Sequence, residues 1–170
     1  MNLEYFISSL PMLVKDGKAP FAPSEFIAQC DSQLGGSLAD AVRALLTGVA
    51  SDDPFVREWT NRETQIRNAC ARRRAAKRGQ GGTFLPRPFG AVDARIEQEV
   101  AAAFDEGDPL KREHALNAIR WRIADEFQGS SPFSRNAVCA YAVKLAIAYA
   151  ESSADAKAGA DKFDEIVSGK

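Results

Sequence analysis

Residues 53–79 read DPFVREWTNRETQIRNACARRRAAKRG, and this stretch decides the fold class. Asp52 or Asp53 can cap a helix here, Pro54 suits its first turn, and Gly79 suits its stop. Between them lie about seven turns without Gly or Pro. Val56, Trp59, Ile66 and Cys70 follow three- and four-residue steps, as one buried helix face requires. Glu63 falls on the same stripe. A buried carboxylate needs a donor or a cation, because leaving it unpaired is expensive. Arg67 lies one turn on, and Arg120 or Arg122 of a later helix can also reach it. The end of the stretch carries Arg72, Arg73, Arg74, Lys77 and Arg78. Cations suit a helix C-terminus, where the macrodipole is negative, but five are more than that role needs.

The chain on either side of this helix is also helical in pattern. Residues 24–34 predict a helix capped by Ser24, with Phe26, Ile27, Cys30 and Leu34 inward and Gly35-Gly36 as its stop. A second starts at Ser37 and places Leu38, Val42, Leu45, Leu46 and Val49 inward. Residues 3–14 are open between a short strand and a buried helix turn. After the central helix comes a loop over 79–90, containing Phe84, Leu85 and Phe89. A loop of this length is at the upper end for a compact domain, and such loops are often functional. Its apolar residues either anchor the loop on its own fold or dock a partner.

A helix over 92–106 then places Val92, Ile96, Val100 and Phe104 inward. Its acids Asp93, Glu97, Glu99, Asp105 and Glu106 suit an antiparallel hairpin against the basic end of helix 54–78. Asp108-Pro109 starts a helix to Phe127, with Leu116, Ile119, Ile123 and Phe127 on one stripe. Ser134 caps a helix from 135 to about 157, carrying Val138, Tyr141, Ala142, Leu145, Ala148 and Tyr149. Residues 160–168 suit a last short helix with Phe163, Ile166 and Val167. The expected class is all-α, a helical bundle of about five to seven helices. The chain fits one helical domain over 1–170, or two small lobes over 1–52 and 53–170.

The net charge of −1 hides an uneven distribution. Residues 1–53 carry three Lys/Arg against seven Asp/Glu, 54–90 carry nine against two, and 91–113 carry three against seven. That alternation suits internal or partner electrostatics better than a uniformly basic nucleic-acid binder. Cys30, Cys70 and Cys139 lie far apart with no metal-ligand spacing, and read as buried, reduced thiols of a cytosolic protein. The N-terminus lacks the basic region of a signal peptide, and Glu4 and Pro11 interrupt its apolar run. No apolar run approaches the ~20 residues of a membrane span, so attachment to a membrane would run through a partner.

The catalytic inventory is thin. The single histidine, His114, sits among charged residues and reads as a surface residue rather than a general base. No nucleophile elbow, zincin helix or P-loop occurs. Gly79 to Gly82 (GQGG) follows a helix, whereas a phosphate cradle leads from a strand into one. No catalytic residue, metal or cofactor is expected. The Arg cluster has three readings: a solvated helix end paired with acids, a protein-docking patch, or a phosphate-contacting patch.

Several stretches together resemble a bacterial family of unknown function whose genes accompany those of V-type (A/V-type) ATPases. They are Tyr5, Ser9-Leu10-Pro11-Met12-Leu13 and Phe26 to Cys30; then Trp59, Glu63, Arg67-Asn68 and Arg72-Arg73-Arg74-Ala75; then Asp108-Pro109-Leu110, Glu113, Leu116 and Arg120-Trp121-Arg122; and finally Phe133 with Ala140-Tyr141-Ala142-Val143-Lys144-Leu145. The ordered set runs from about Leu3 to Val167. That family is remotely similar to the helical funnel of such ATPases, the component that sits on the membrane rotor and seats the central stalk. The resemblance implies a non-enzymatic accessory or stalk-associated protein, docking on V-type ATPase subunits of the central stalk or rotor. It implies a cytoplasmic protein, held at the inner membrane through its partner and not inserted in it. The expected partner-binding residues are Arg72, Arg73, Arg74, Lys77, Arg78, Phe84 and Phe89. Glu63, Arg67, Asn68 and Arg120 read as an internal polar clasp fixing helix register. Alanines 140, 142, 146, 148 and 150 would let helices approach closely. The alternative is a nucleic-acid-binding helical protein using the basic end of helix 54–78.

Overall fold

The computed structural model describes residues 2–79 and 85–167, the side chains as far as Ala154. It is all-α, with helices α1 (Leu3–Ser9), α2 (Pro23–Gln33), α3 (Gly36–Thr47), α4 (Pro54–Lys77), α5 (Ala94–Asp105), α6 (Pro109–Gln128) and α7 (Arg135–Val167). No strand occurs among the described residues, and residues 3–9 are helical. Asn2 accepts a hydrogen bond from the Glu4 amide and so starts α1. The chain divides into two compact units, one of residues 1–49 with 128–170 and one of residues 50–127.

In the first unit α2 begins one residue earlier than the sequence suggests. Pro23 takes the first helical position, and the Ala22 amide donates to Glu25 Oε1 at 3.2 Å. Ser24 is therefore inside the helix and caps nothing. Gly35 and Gly36, with φ of 60° and 55°, make the turn into α3 in a region other residues avoid. Phe6, Phe26, Cys30, Val42, Val138, Ala142 and Leu145 form the core. Burying a Phe or Leu side chain contributes about 2–3 kcal/mol. Phe21, Phe26 and Tyr141 stack near one another, and the Tyr141 hydroxyl donates to the Pro11 carbonyl at 3.0 Å. The alanines of α7 do what their size permits at 140, 142 and 148, all buried, but Ala150 is exposed. Val49 and Tyr149, expected inward, are also exposed. Val49 lies beyond the end of α3, whose cap is Gly48. The helix expected to stop near 157 continues to Val167, because Gly159 costs a helix interior only about 1 kcal/mol. The side chains of Phe163, Ile166 and Val167 lie outside the described residues.

In the second unit Asp53 caps α4 through its carboxylate, which accepts from the Phe55 and Val56 amides at 2.9 and 3.2 Å. Pro54 occupies the first turn, as its missing N–H allows. Ile66, Ala69 and Cys70 of α4 pack with Ile96, Val100 and Phe104 of α5 and with Leu116, Ile119 and Ile123 of α6. Val92 is exposed, because α5 starts only at Ala94 with Asp93 as its cap.

The direction of α5 corrects the expected hairpin. Gln65 meets Asp93, Arg72 meets Glu97, and Lys77 meets Phe104, so α4 and α5 run parallel. α6 runs against both, pairing Arg120 with Glu63 and Arg95 with Glu126. The long connection makes this possible. From Gly79 back to the level of Gln65 is about 21 Å along a helix, and the fourteen or so intervening residues reach about twice that when extended. Residues 85–93 are that returning strap.

Candidate functional site

The strap is held by side chains of α4 that stand in for a neighbouring strand. Asn68 exchanges two hydrogen bonds with the Arg87 backbone: its Nδ2 donates to the carbonyl at 2.8 Å, and its Oδ1 accepts from the amide at 3.0 Å. Gln65 does the same with Asp93, at 2.7 and 3.1 Å. Between these anchors Asn61 accepts from the Gly90 amide at 3.2 Å, and Arg62 donates to the Ala91 carbonyl at 2.6 Å. Gln65 and Asn68 are buried, so their side-chain amides find their partners in the strap backbone rather than in water. A Cβ on Gly90 would come within 2.9 Å of Asn61 Nδ2, which is why the strap is bare there.

The expected clasp is present in part. Glu63 and Arg120 pair through two hydrogen bonds, and Arg67 Nε donates to Glu63 Oε1 at 2.9 Å. Arg120 also donates to Asn117 at 3.0 Å. Burial works against the Arg120 charge, but the Glu63 carboxylate outweighs it and raises the guanidinium pKa. Asn68 does not join this group; it holds the strap instead. Arg122, the other candidate for Glu63, pairs with Glu99 at 3.0 Å and with Glu126 at 2.9 Å. Arg95 closes the chain of charges by bridging Glu126 and Asp93. Against some burial, the Arg95 and Arg122 guanidiniums hold the Glu126 carboxyl below its usual value. Arg95 does the same for Asp93.

The basic end of α4 divides by role. Arg72 pairs with Glu97 at 2.9 Å. Arg74 and Lys77 lie 6.0 and 5.8 Å from the centroid of the Phe104 ring. Arg112 of α6 lies over the same ring at 5.1 Å. Lys77 Nζ is 3.5 Å from the Phe104 carbonyl oxygen, and Arg112 Nη2 donates to the Glu106 carbonyl at 3.0 Å. Cations from two helices therefore cover the negative end of α5, as its dipole favours. Arg73 and Arg78 are exposed and, among the described residues, pair with no carboxylate. Phe84 lies outside the described residues. Phe89 is half-buried, and Leu85 is 88% exposed, so the strap does not tuck all its apolar residues onto the fold.

Sequence pattern alone does not single out Arg112, Gln65 or Asn61. The three amides at 61, 65 and 68 do share one helix face, and that spacing is the signal that marks them.

Elsewhere the grooves among the described residues include two shallow ones. One of about 430 Å³ is lined by Ala102, Ala103, Ala115 and Ala118, with Glu99 and Arg122 beside them. The other, of about 220 Å³, is lined by residues including Leu10, Pro11, Ala137, Tyr141 and Lys144. His114, expected at the surface, is half-buried. Cys30, Cys70 and Cys139 are all free and buried. Burial pushes the Cys30 thiol up to about 12, helped by Asp31. Burial also raises Cys70, although Arg74 and Arg120 pull the other way. No helix among the described residues is long and apolar enough to cross a membrane.

No curated protein and no solved structure matches the chain. Residues 86–169, from the strap onward, match the model of a family described as protein of unknown function (DUF2764).

Proposed function

We propose that this chain is a non-enzymatic docking protein of a V-type ATPase, bound to its central stalk or rotor on the cytoplasmic side. The observation that carries the docking role is the end of α4. Arg73 and Arg78 project there without a carboxylate partner among the described residues. Arg74 and Lys77 are exposed beside them. Exposed, clustered cations steer and orient an oppositely charged partner. The ordered resemblance of the chain, from about Leu3 to Val167, is what supports a V-type ATPase as that partner. Parallel α4 and α5, tied by a strap and braced by α6, give the stiffness a coupling element needs.

A tagged chain recovered from its source cells at low salt, with bound proteins identified by mass spectrometry, tests this reading. Enrichment of the catalytic and stalk subunits of a V-type ATPase is expected. Recovery of nucleic acid without those subunits overturns it and puts the phosphate-contacting reading in its place.

A further inference from the structure

We propose that Arg73, Arg74, Lys77 and Arg78 of α4, joined by Arg112 of α6, form one surface that recognises a carboxylate-rich helical segment of a partner protein. The inference rests on the docking reading and specifies its chemistry.

Three of the five cations are fixed by the fold. Arg74, Lys77 and Arg112 lie 5.1–6.0 Å from the centroid of one aromatic ring, Phe104. Their charges are therefore at most about 12 Å apart, which is close to the Debye length in dilute salt. Arg73 and Arg78 extend the same helix end. None of the five pairs with a carboxylate among the described residues, although Asp105, Glu106 and Asp108 are near Arg112 in sequence. Arg112 Nε is also buried without a hydrogen-bond partner. Like charges gathered in this way repel, and an anionic partner relieves the repulsion. Arg72 does not belong to the surface, because Glu97 already neutralises it at 2.9 Å.

The surface suits an acidic polypeptide better than a nucleic acid. Phe104 is 5% exposed beneath its cations, so it offers no face on which a base could stack. The carbonyls of Phe104 and Glu106 accept from Lys77 and Arg112, which holds these cations at the end of α5, where a short helix with spaced carboxylates can meet them.

The test uses the full chain and two fluorescent probes of matched length, a Glu-rich helical peptide and a single-stranded oligonucleotide. Binding is read by anisotropy at about 50 and about 200 mM salt, bracketing weaker and stronger screening. The peptide is expected to bind more tightly than the oligonucleotide and to weaken as salt rises. R73E is expected to weaken peptide binding about tenfold. R57E makes the same change in net charge about 24 Å up α4 and is expected to leave binding within about twofold. Thermal melts check that both variants are folded. Peptide binding unaffected by R73E, or weakened equally by R57E, overturns the proposal, as does tighter binding of the oligonucleotide. If ATPase subunits are still captured in that event, docking survives and takes place on another surface.

Discussion

Arg120 grips both carboxylate oxygens of Glu63, with Nε 2.9 Å from Oε2 and Nη2 3.2 Å from Oε1. The two side chains are 19% and 14% exposed, so water screens the pair only in part. Among the described residues, removing Glu63 leaves the Arg120 charge with only Asn117 at 3.0 Å and the exposed Glu113 at 3.6 Å. Glu63→Ala is expected to destabilise the protein by about 2–3 kcal/mol in urea unfolding. Arg67→Ala removes a partner that is 66% exposed and is expected to cost about 0.5 kcal/mol or less. A Glu63→Ala cost below that of Arg67→Ala would rule out a structural clasp.

The strap gives a second prediction. Asn68→Leu leaves the Arg87 amide and carbonyl without their partners and is expected to cost about 2 kcal/mol. Hydrogen exchange should then accelerate at the Arg87 amide well before it does in the buried turns of α4. Unchanged exchange at Arg87 would show that Asn68 does not hold the strap.

Gly90→Ala tests the same device from the other side. The new methyl would sit 2.9 Å from Asn61 Nδ2, so the Asn61 side chain must swing away and give up the Gly90 amide. The expected loss is about 1 kcal/mol. The double variant with Asn61→Ala should cost no more than Asn61→Ala alone, a coupling that a thermodynamic cycle measures.

These anchors also show which parts of the structure are legible in the sequence. Asp53-Pro54 and Ser134 mark helix starts because capping and the missing proline N–H act within a few residues. The stripes through Ile66, Ile96 and Ile123 mark buried faces for the same local reason. The parallel course of α4 and α5 is not local. It depends on Asn61, Gln65 and Asn68 reaching backbone groups some twenty to thirty residues on, and a run of polar amides on a helix ordinarily reads as solvated. Extending a helical period misplaces Val92 and Tyr149, which the fold leaves in solvent. At the candidate surface the α4 cations are evident in the sequence, whereas Arg112 joins them only through tertiary packing around Phe104.

Acid should weaken the second unit. Asp93 and Glu126 have folded pKa values below their ordinary ones, so the folded state favours their charged forms. Their contribution is present at neutral pH and is lost as pH falls from about 4 through the folded values. Unfolding free energy measured down that range is expected to drop more steeply in wild type than in Arg95→Gln, which lacks the shared cation. Parallel slopes would show that Arg95 does not set these pKa values.

The thiols should be silent in the folded protein. Cys30 is fully buried and its pKa is pushed up to about 12, so little thiolate exists at neutral pH. A disulfide reagent is expected to modify Cys30, Cys70 and Cys139 only at the rate of unfolding, and all three promptly in denaturant. Prompt labelling of one thiol in native buffer would contradict its buried position.

Direct binding of the purified chain to a purified V-type ATPase tests the central claim most directly. With the chain immobilised and the peripheral ATPase complex in solution, surface plasmon resonance is expected to show saturable binding that weakens as salt rises and is reduced by charge reversal at Arg73 and Arg78. No binding at micromolar ATPase in low salt would contradict the docking role.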